Sequence, residues 1–236
     1  EEAYKLELTI EDLKKKVIRA IGDPQKRFTE DKLRLLRAVR FASVLGFKIE
    51  PKTLLAVKKL APKIHEVSQE RVRDELVKMF TGPNPGLALS LLDKTGLLKE
   101  ALPEVHRMKG VQQPKAYHPE GDVFVHTKLL MKQLNNPSVV LAFGCLLHDV
   151  GKPRVKKGEG LDATFYNHEV VGAKMTAKIL ERLKFPKKFI EKVVLLVRYH
   201  LFYYNVEEVT ESSVRRLVKN VGPENMDDLL EVRIAD

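Results

Sequence analysis

The chain has 236 residues, 44% of them hydrophobic, with 42 Lys and Arg against 32 Asp and Glu for a formal net charge of +10. That length supports one large or two small domains with a real core, and the apolar content is that of an ordinary globular protein. No apolar stretch is long enough to span a membrane, the polar start Glu1-Glu2-Ala3-Tyr4 is no secretory signal, and one cysteine cannot build a disulfide framework, so a cytoplasmic protein without a membrane partner is expected.

Helical periodicity dominates, and the one strand-like feature is a short hairpin expected around 153–167. Residues 14–40 carry ten Lys/Arg against Asp23, Glu30 and Asp31. Thr29 predicts an N-cap for a helix running to Gly46, with Leu35, Ala38, Val39, Ala42 and Leu45 as its apolar stripe. A helix over 51–61 should stop at Pro62, and Ser68 should start the next, through Phe80. The breaker Gly82-Pro83-Asn84-Pro85-Gly86 follows, then a helix over 86–95. A Gly- and Pro-rich loop at 103–121 separates a helical module, 1–102, from a second, 103–236. Helices are expected in the second near 122–135, 138–149, 167–184, 186–200, 211–221 and 223–236. The pattern is all-α, without heptads or internal repeats. Residues 150–200 add twelve Lys/Arg against five acids. Concentrated positive charge suits a polyanion such as RNA, the blander alternative being a lysine-rich surface. The chain lacks an initiator methionine and Asp236 falls within an expected helix, so a longer parent protein, extending the second module, is expected.

His148-Asp149 closes the apolar run Val139–Leu147, which must bury itself. A buried carboxylate is costly unless it is paired or binds metal. His126 opens one helix, His168 opens another, His200 closes the next, and Asp236 lies in the last. Imidazoles and carboxylates drawn from several helix ends make a mixed set suited to a divalent ion: Mn, Fe, Ni, Zn or Mg. One ion would leave ligands over, whereas two ions bridged by Asp149 would use all six and leave positions for water. Such a pair polarises a phosphoryl oxygen and acidifies water. Lys152 could reach a substrate phosphate, with Gly151 permitting the tight helix exit this needs. Any of these histidines alone is more often a core or surface residue, as His65 and His106 are expected to be, and Cys145 reads as a small core hydrophobe. The specific signal is the order His, His-Asp, His, His, Asp across successive helices.

With these residues the chain resembles the HD superfamily of metal-dependent phosphohydrolases. The stretches Tyr117-His118-Pro119-Glu120-Gly121-Asp122-Val123-Phe124-Val125-His126-Thr127, Asn167-His168-Glu169-Val170-Val171-Gly172-Ala173, Tyr199-His200 and Arg233-Ile234-Ala235-Asp236 look like the HD domain of bacterial CCA-adding tRNA nucleotidyltransferases. The resemblance implies a basic metal set of His126, His148, Asp149 and Asp236, with His168 and His200 serving a second ion or the substrate phosphate. It implies phosphodiesterase or phosphatase action on nucleotides; for that action Asp149 and Lys152 are the catalytic groups expected from their place in the sequence.

In the first module, Asp31 and Arg34 at i,i+3 on a continuous helix would be neighbours, an acceptor beside a planar donor fork able to read the edge of a base. On spacing alone an ordinary surface ion pair is the simpler account. The surrounding segments 17–24 and 27–42, with Ser68-Gln69-Glu70-Arg71-Val72-Arg73-Asp74-Glu75-Leu76, are similar to the neck of class II CCA-adding and poly(A) polymerase enzymes. That similarity implies that Glu30, Asp31 and Arg34 select incoming CTP or ATP, and that Arg37 and Arg40 contact phosphate or a neighbouring domain. The family's catalytic head, with its Gly-Ser motif and paired carboxylates, has no counterpart here, and Leu6 to Lys16 resembles at most the linker leaving it. Three functions follow as expectations: an HD-type phosphohydrolase acting on a nucleotide phosphate ester or an RNA terminus; a non-hydrolytic tRNA- and nucleotide-binding neck, body and tail serving an absent head; or an HD fold kept only as scaffold. Nucleotidyl transfer by the chain alone is not expected.

Overall fold

A computed structural model describes residues 10–114, 119–202 and 209–236. Tyr117, His118 and the 6–9 part of the expected linker lie outside the described residues. The chain divides into two compact units, Glu1–His106 with Leu134–Pro137, and Arg107–Gln133 with Ser138–Asp236. Both are built on helices, and the fold is all-α.

The first unit contains α1 (Ile10–Lys15), β1 (Val17–Ile18), α2 (Pro24–Glu30), α3 (Leu33–Leu45), β2 (Lys48–Ile49) and α4 (Pro51–Leu60). After a 3-10 stretch, Ala61–Glu66, come α5 (Gln69–Phe80), α6 (Pro85–Thr95), α7 (Leu97–Ala101) and α8 (Pro103–His106). The helix expected from Thr29 to Gly46 is instead two. Its true start is Asp23-Pro24: Asp23 Oδ1 accepts from the amides of Gln25 at 2.8 Å and Lys26 at 3.1 Å, and Pro24 supplies a pre-set first turn. Thr29 lies inside α2, its hydroxyl donating to the Gln25 carbonyl. The chain breaks at Asp31, which is extended (φ −144°, ψ 105°) and whose Oδ1 accepts from the Leu33 amide at 3.1 Å to open α3. Gly46 ends α3 in the left-handed conformation, as expected. Leu35, Ala38, Val39 and Ala42 are buried, but Leu45 is 44% exposed, so the stripe stops a turn early.

The helix expected over 51–61 is α4, which ends at Leu60, ahead of Pro62 as expected; the chain then runs on as 3-10 helix, because a proline in a first turn forfeits no intrahelical bond. One further departure is local. The two-residue parallel pair β1–β2, Val17 opposite Lys48 and Ile18 opposite Ile49, carries no alternation long enough to read from sequence.

The second unit contains α9 (Val123–Gln133), α10 (Val139–Leu147), α11 (Lys152–Val155), α12 (His168–Arg182), α13 (Lys187–Tyr199), α14 (Glu211–Val221) and α15 (Met226–Ala235), with α15 preceded by a 3-10 turn at Pro223–Asn225. The expected hairpin is a single antiparallel bridge between Lys157 and Thr164. Ser138 caps α10, and every residue from Leu141 to Leu147 is buried, so this helix is apolar all round. It packs against α9, α13 and α15. Gly144 lets α13 and α15 close on it: an added Cβ would stand 3.1 Å from Leu196 and 3.2 Å from Val232. A cluster of Phe143, Phe185 and Phe189, with centroids 4.4 to 6.0 Å apart, packs α10 against the start of α13.

Gly151 has an ordinary φ of −78°, so the tight-exit argument for it does not hold. What requires glycine is close approach: a Cβ there would lie 2.2 Å from the His168 carbonyl oxygen and 2.6 Å from the Gly172 amide nitrogen, both backbone atoms of α12. Gly151→Ala should therefore push α12 away, lowering stability by about 1–3 kcal/mol as overpacking does. A thermal melt, read beside the NMR position of the His168 imidazole, checks both effects.

Candidate metal centre

α10 delivers His148 and Asp149 from its C-terminal end, α9 delivers His126, α12 His168, α13 His200 and α15 Asp236. His148, Asp149 and His200 are 1% exposed, His168 6% and His126 8%. All six expected ligands meet, as two groups: His126, His148 and Asp236, and Asp149, His168 and His200, each with its ligand atoms within 4.8 Å of one another. Nε2 of His126 lies 2.9 Å from Asp236 Oδ1, and Nε2 of His148 lies 3.4 Å from the same oxygen and 3.2 Å from Asp149 Oδ2. Asp149 Oδ1 stands 3.3 Å from His168 Nε2 and 3.9 Å from His200 Nε2. Asp149 thus faces both groups, one oxygen to each.

Three of the imidazoles are aimed by their own backbone. Nδ1 of His148, His168 and His200 donates at 2.8 Å to the carbonyl three residues earlier, of Cys145, Phe165 and Val197 respectively. With Nδ1 hydrogen-bonded to its own backbone in each, Nε2 is the nitrogen that points inward, the one left to bind metal. Lys152 is 5% exposed; its Nζ lies 2.7 Å from Asp149 Oδ2 and donates to Gln113 Oε1 at 2.9 Å. Gln113 and Glu120 were not singled out as site residues. Gln113 stands in a loop without periodicity, while Glu120 sits in the quoted motif before α9 and could have been suspected from its place there.

The electrostatics follow from burial opposed by charge. Burial alone would raise the Asp149 carboxyl, but the charges of His148 and Lys152 hold it well below the usual carboxylate range. Asp236 is likewise held far down against its burial by His126 and His148. Burial disfavours a proton on His148, yet Asp149 and Asp236 carry it up to about 10. His200 goes the other way, pushed down to about 3 by burial and by the charge of His148, so it is a neutral imidazole at physiological pH. Burial also pushes the Cys145 thiol up, which makes it an inert core side chain.

These residues fit a divalent ion. His148 Nε2 is fully buried without a hydrogen bond, facing the carboxylate oxygens of Asp149 and Asp236 at 3.2 and 3.4 Å. Buried polar atoms left in that state are rare unless something else is to occupy their lone pairs. The donor set, imidazole nitrogen with carboxylate oxygen, is that of Mn, Fe, Ni, Zn or Mg sites.

In the first unit, the helical i,i+3 relation between Asp31 and Arg34 does not hold, because Asp31 is extended and outside α3. The Arg34 guanidinium instead binds Glu30 at 3.0 Å and the Arg27 carbonyl at 2.9 Å, and Asp31 Oδ2 lies 3.4 Å from Arg71. Glu30, Asp31 and Arg34 nevertheless remain partly exposed and adjacent along the chain. Arg37 and Arg40 face a buried carboxylate: Glu75 of α5, 2% exposed, takes Arg40 Nε at 2.6 Å and Arg37 Nε at 3.6 Å. Here the need of a buried charge for counter-charges supplies a packing role where phosphate contact was expected. His65 and His106 pair with Glu100 and Asp93, at 2.7 and 3.7 Å, away from any ligand group.

The fold and centre define the class: residues 121–236 match the HD domain family, and residues 46–109 match the family described as the probable RNA and SrmB-binding site of polymerase A. The HD class implies divalent-metal binding, in keeping with the ligand set. The chain is 33% identical over 237 residues to the A-adding tRNA nucleotidyltransferase of Deinococcus radiodurans, covering 96% of itself and 53% of that protein. It is 32% identical over 243 residues to the multifunctional CCA protein of Haemophilus influenzae strain PittGG, covering 96% of itself and 57% of that protein. Among solved structures it resembles the Bacillus stearothermophilus CCA-adding enzyme in complex with CTP, with a TM-score of 0.65 at 25% identity, over 95% of this chain and 47% of that one. The chain belongs to the tRNA nucleotidyltransferase and poly(A) polymerase family. It spans about half the length of the curated relatives it matches.

Asp149→Ala should leave the Lys152 ammonium buried without its carboxylate, a loss of about 3–5 kcal/mol. Thermal melting of the metal-free variant measures it; an unchanged melting temperature would mean that Asp149 does not hold the centre together.

Proposed function

We propose that the second unit is a two-ion metal-dependent phosphohydrolase acting on a nucleotide phosphate ester or an RNA-terminal phosphate. The observation that supports it best is the pair of three-ligand groups facing a shared carboxylate, Asp149. In the reaction, water oxygen bonds to phosphorus as the ester P–O bond breaks, and the departing alcohol oxygen takes up a proton. Divalent ions supply Lewis acidity toward a phosphoryl oxygen and the attacking water. His126, His148 and Asp236 would hold one ion, and His168 and His200 the other, with Asp149 between them. Lys152 donates to Gln113 and pairs with Asp149, and an ammonium has three N–H donors, so one is left for a substrate phosphoryl oxygen. Burial of His126, His148, Asp149, His168 and His200, with Asp236 part-buried, limits access of competing solvent to the centre.

The test is hydrolysis of 2′,3′-cyclic nucleotides and p-nitrophenyl phosphate esters with Mn²⁺, Ni²⁺ or Mg²⁺. Activity should appear with at least one ion and vanish in His148→Ala and Asp149→Ala. Hydrolysis indifferent to both changes would sink the proposal.

A second reading concerns the first unit and is compatible with the first. Its support is the match of residues 46–109 to an RNA-binding family and a basic segment carrying Glu30, Asp31 and Arg34. On this reading the unit binds tRNA and selects CTP or ATP for a nucleotidyltransferase head, within a cytoplasmic protein of tRNA 3′-end maturation; the relative solved with CTP points the same way. Arg34 would leave Glu30 to meet the base edge, beside Asp31. Binding to tRNA should weaken steeply with salt, as release of counterions from several phosphates requires. A filter-binding series at several salt concentrations reads this, and a salt-independent affinity would count against it.

A further inference from the structure

The four imidazoles of the centre are not held alike. His148, His168 and His200 stand at helix ends, where backbone carbonyls three residues back can accept their Nδ1 protons. His126 is the fourth residue of α9, and its surroundings differ. Its own amide donates to the Asp122 carbonyl at 2.9 Å, and the Val123 carbonyl three residues back takes the Thr127 hydroxyl at 3.0 Å. What stands at its Nδ1 is a side chain: Glu120 Oε1, at 2.8 Å.

We propose that Glu120 is a positioning residue that keeps the His126 Nδ1 proton in place and so aims Nε2 at the ion. This rests on the metal reading given above for the same centre. Glu120 is itself anchored. Gln113, 3% exposed, donates from Nε2 to the same Oε1 at 3.3 Å, and its own Oε1 accepts from Lys152, which pairs with Asp149. A continuous chain of polar contacts therefore runs from Asp149 through Lys152, Gln113 and Glu120 to His126 and on to Asp236. It joins the two ligand groups through a path separate from the ligand atoms. A carboxylate at this place also does what a carbonyl does less well: it raises the basicity of the imidazole and adds negative charge beside the His126, His148 and Asp236 group.

The experiment uses the full 236-residue chain, with Mn²⁺ alone as the probe. Calorimetric titration should show Glu120→Ala weakening one class of Mn²⁺ site about 10- to 100-fold. Glu120→Gln keeps an acceptor but not the charge and should lose less. A second readout needs no metal. In ¹⁵N-histidine-labelled, metal-free protein, the slowly exchanging Nδ1 proton of His126, assigned by its loss in His126→Gln, should survive in wild type and Glu120→Gln and vanish in Glu120→Ala. Wild-type Mn²⁺ affinity in Glu120→Ala, or a persisting Nδ1 resonance, overturns the proposal. Should Glu120→Ala not fold, Glu120→Gln decides: reduced affinity with the resonance retained is expected, and unchanged affinity overturns it. Wild-type protein that binds no Mn²⁺ would refute the metal reading, while the Nδ1 resonance would still decide the role of Glu120.

Discussion

The second unit depends on one buried charge. Asp149 sits at the end of a helix that is apolar on every side, and a carboxylate there is tolerable only if cations and donors close around it. Lys152 and the imidazoles of His148, His168 and His200 are those partners. To bring them in, α12 must approach α11 so closely that Gly151 cannot carry a side chain, and α13 and α15 must press on α10 at Gly144. The packing of this unit and the convergence of its ligands thus have one cause.

The first unit meets the same difficulty differently. Glu75 is as deeply buried as Asp149, but arginines answer it, and Arg37 and Arg40 lie along one face of α3 to do so. Guanidinium groups occupy the lone pairs of Glu75 and offer none of their own to a metal, so this cluster ties α3 to α5. The two buried carboxylates differ in what surrounds them: arginines close around Glu75, whereas imidazoles that could hold a metal ion gather around Asp149.

The candidate ligand residues were legible in the sequence because each lies at or near the end of an expected helix, in the order His, His-Asp, His, His, Asp. The all-α class and most helix limits were legible from helical spacing and from capping and breaking residues. Breaks shorter than a turn were not. Asp31 leaves the helical path between α2 and α3, and the first of these helices starts at Asp23-Pro24, with Thr29, itself a cap former, inside it. The face relation of Asp31 to Arg34 failed with it. The ion pairing of Arg37 and Arg40 was not legible, because nothing local marks Glu75, 35 residues beyond Arg40, as their partner. Gln113 and Glu120 lie outside any periodic element, and what makes them matter is reach across the loop rather than spacing along it.

The hydrogen bonds from His148, His168 and His200 to carbonyls of their own turns have a mechanical consequence. Each ring is clamped to the helix end that bears it, so it translates and rotates with that helix as one body. The separations among the Nε2 atoms therefore act as a gauge of how α10, α12 and α13 are seated. An ion spanning them would resist any sliding of those helices, and a ligand that shifted one helix would in turn loosen the ion.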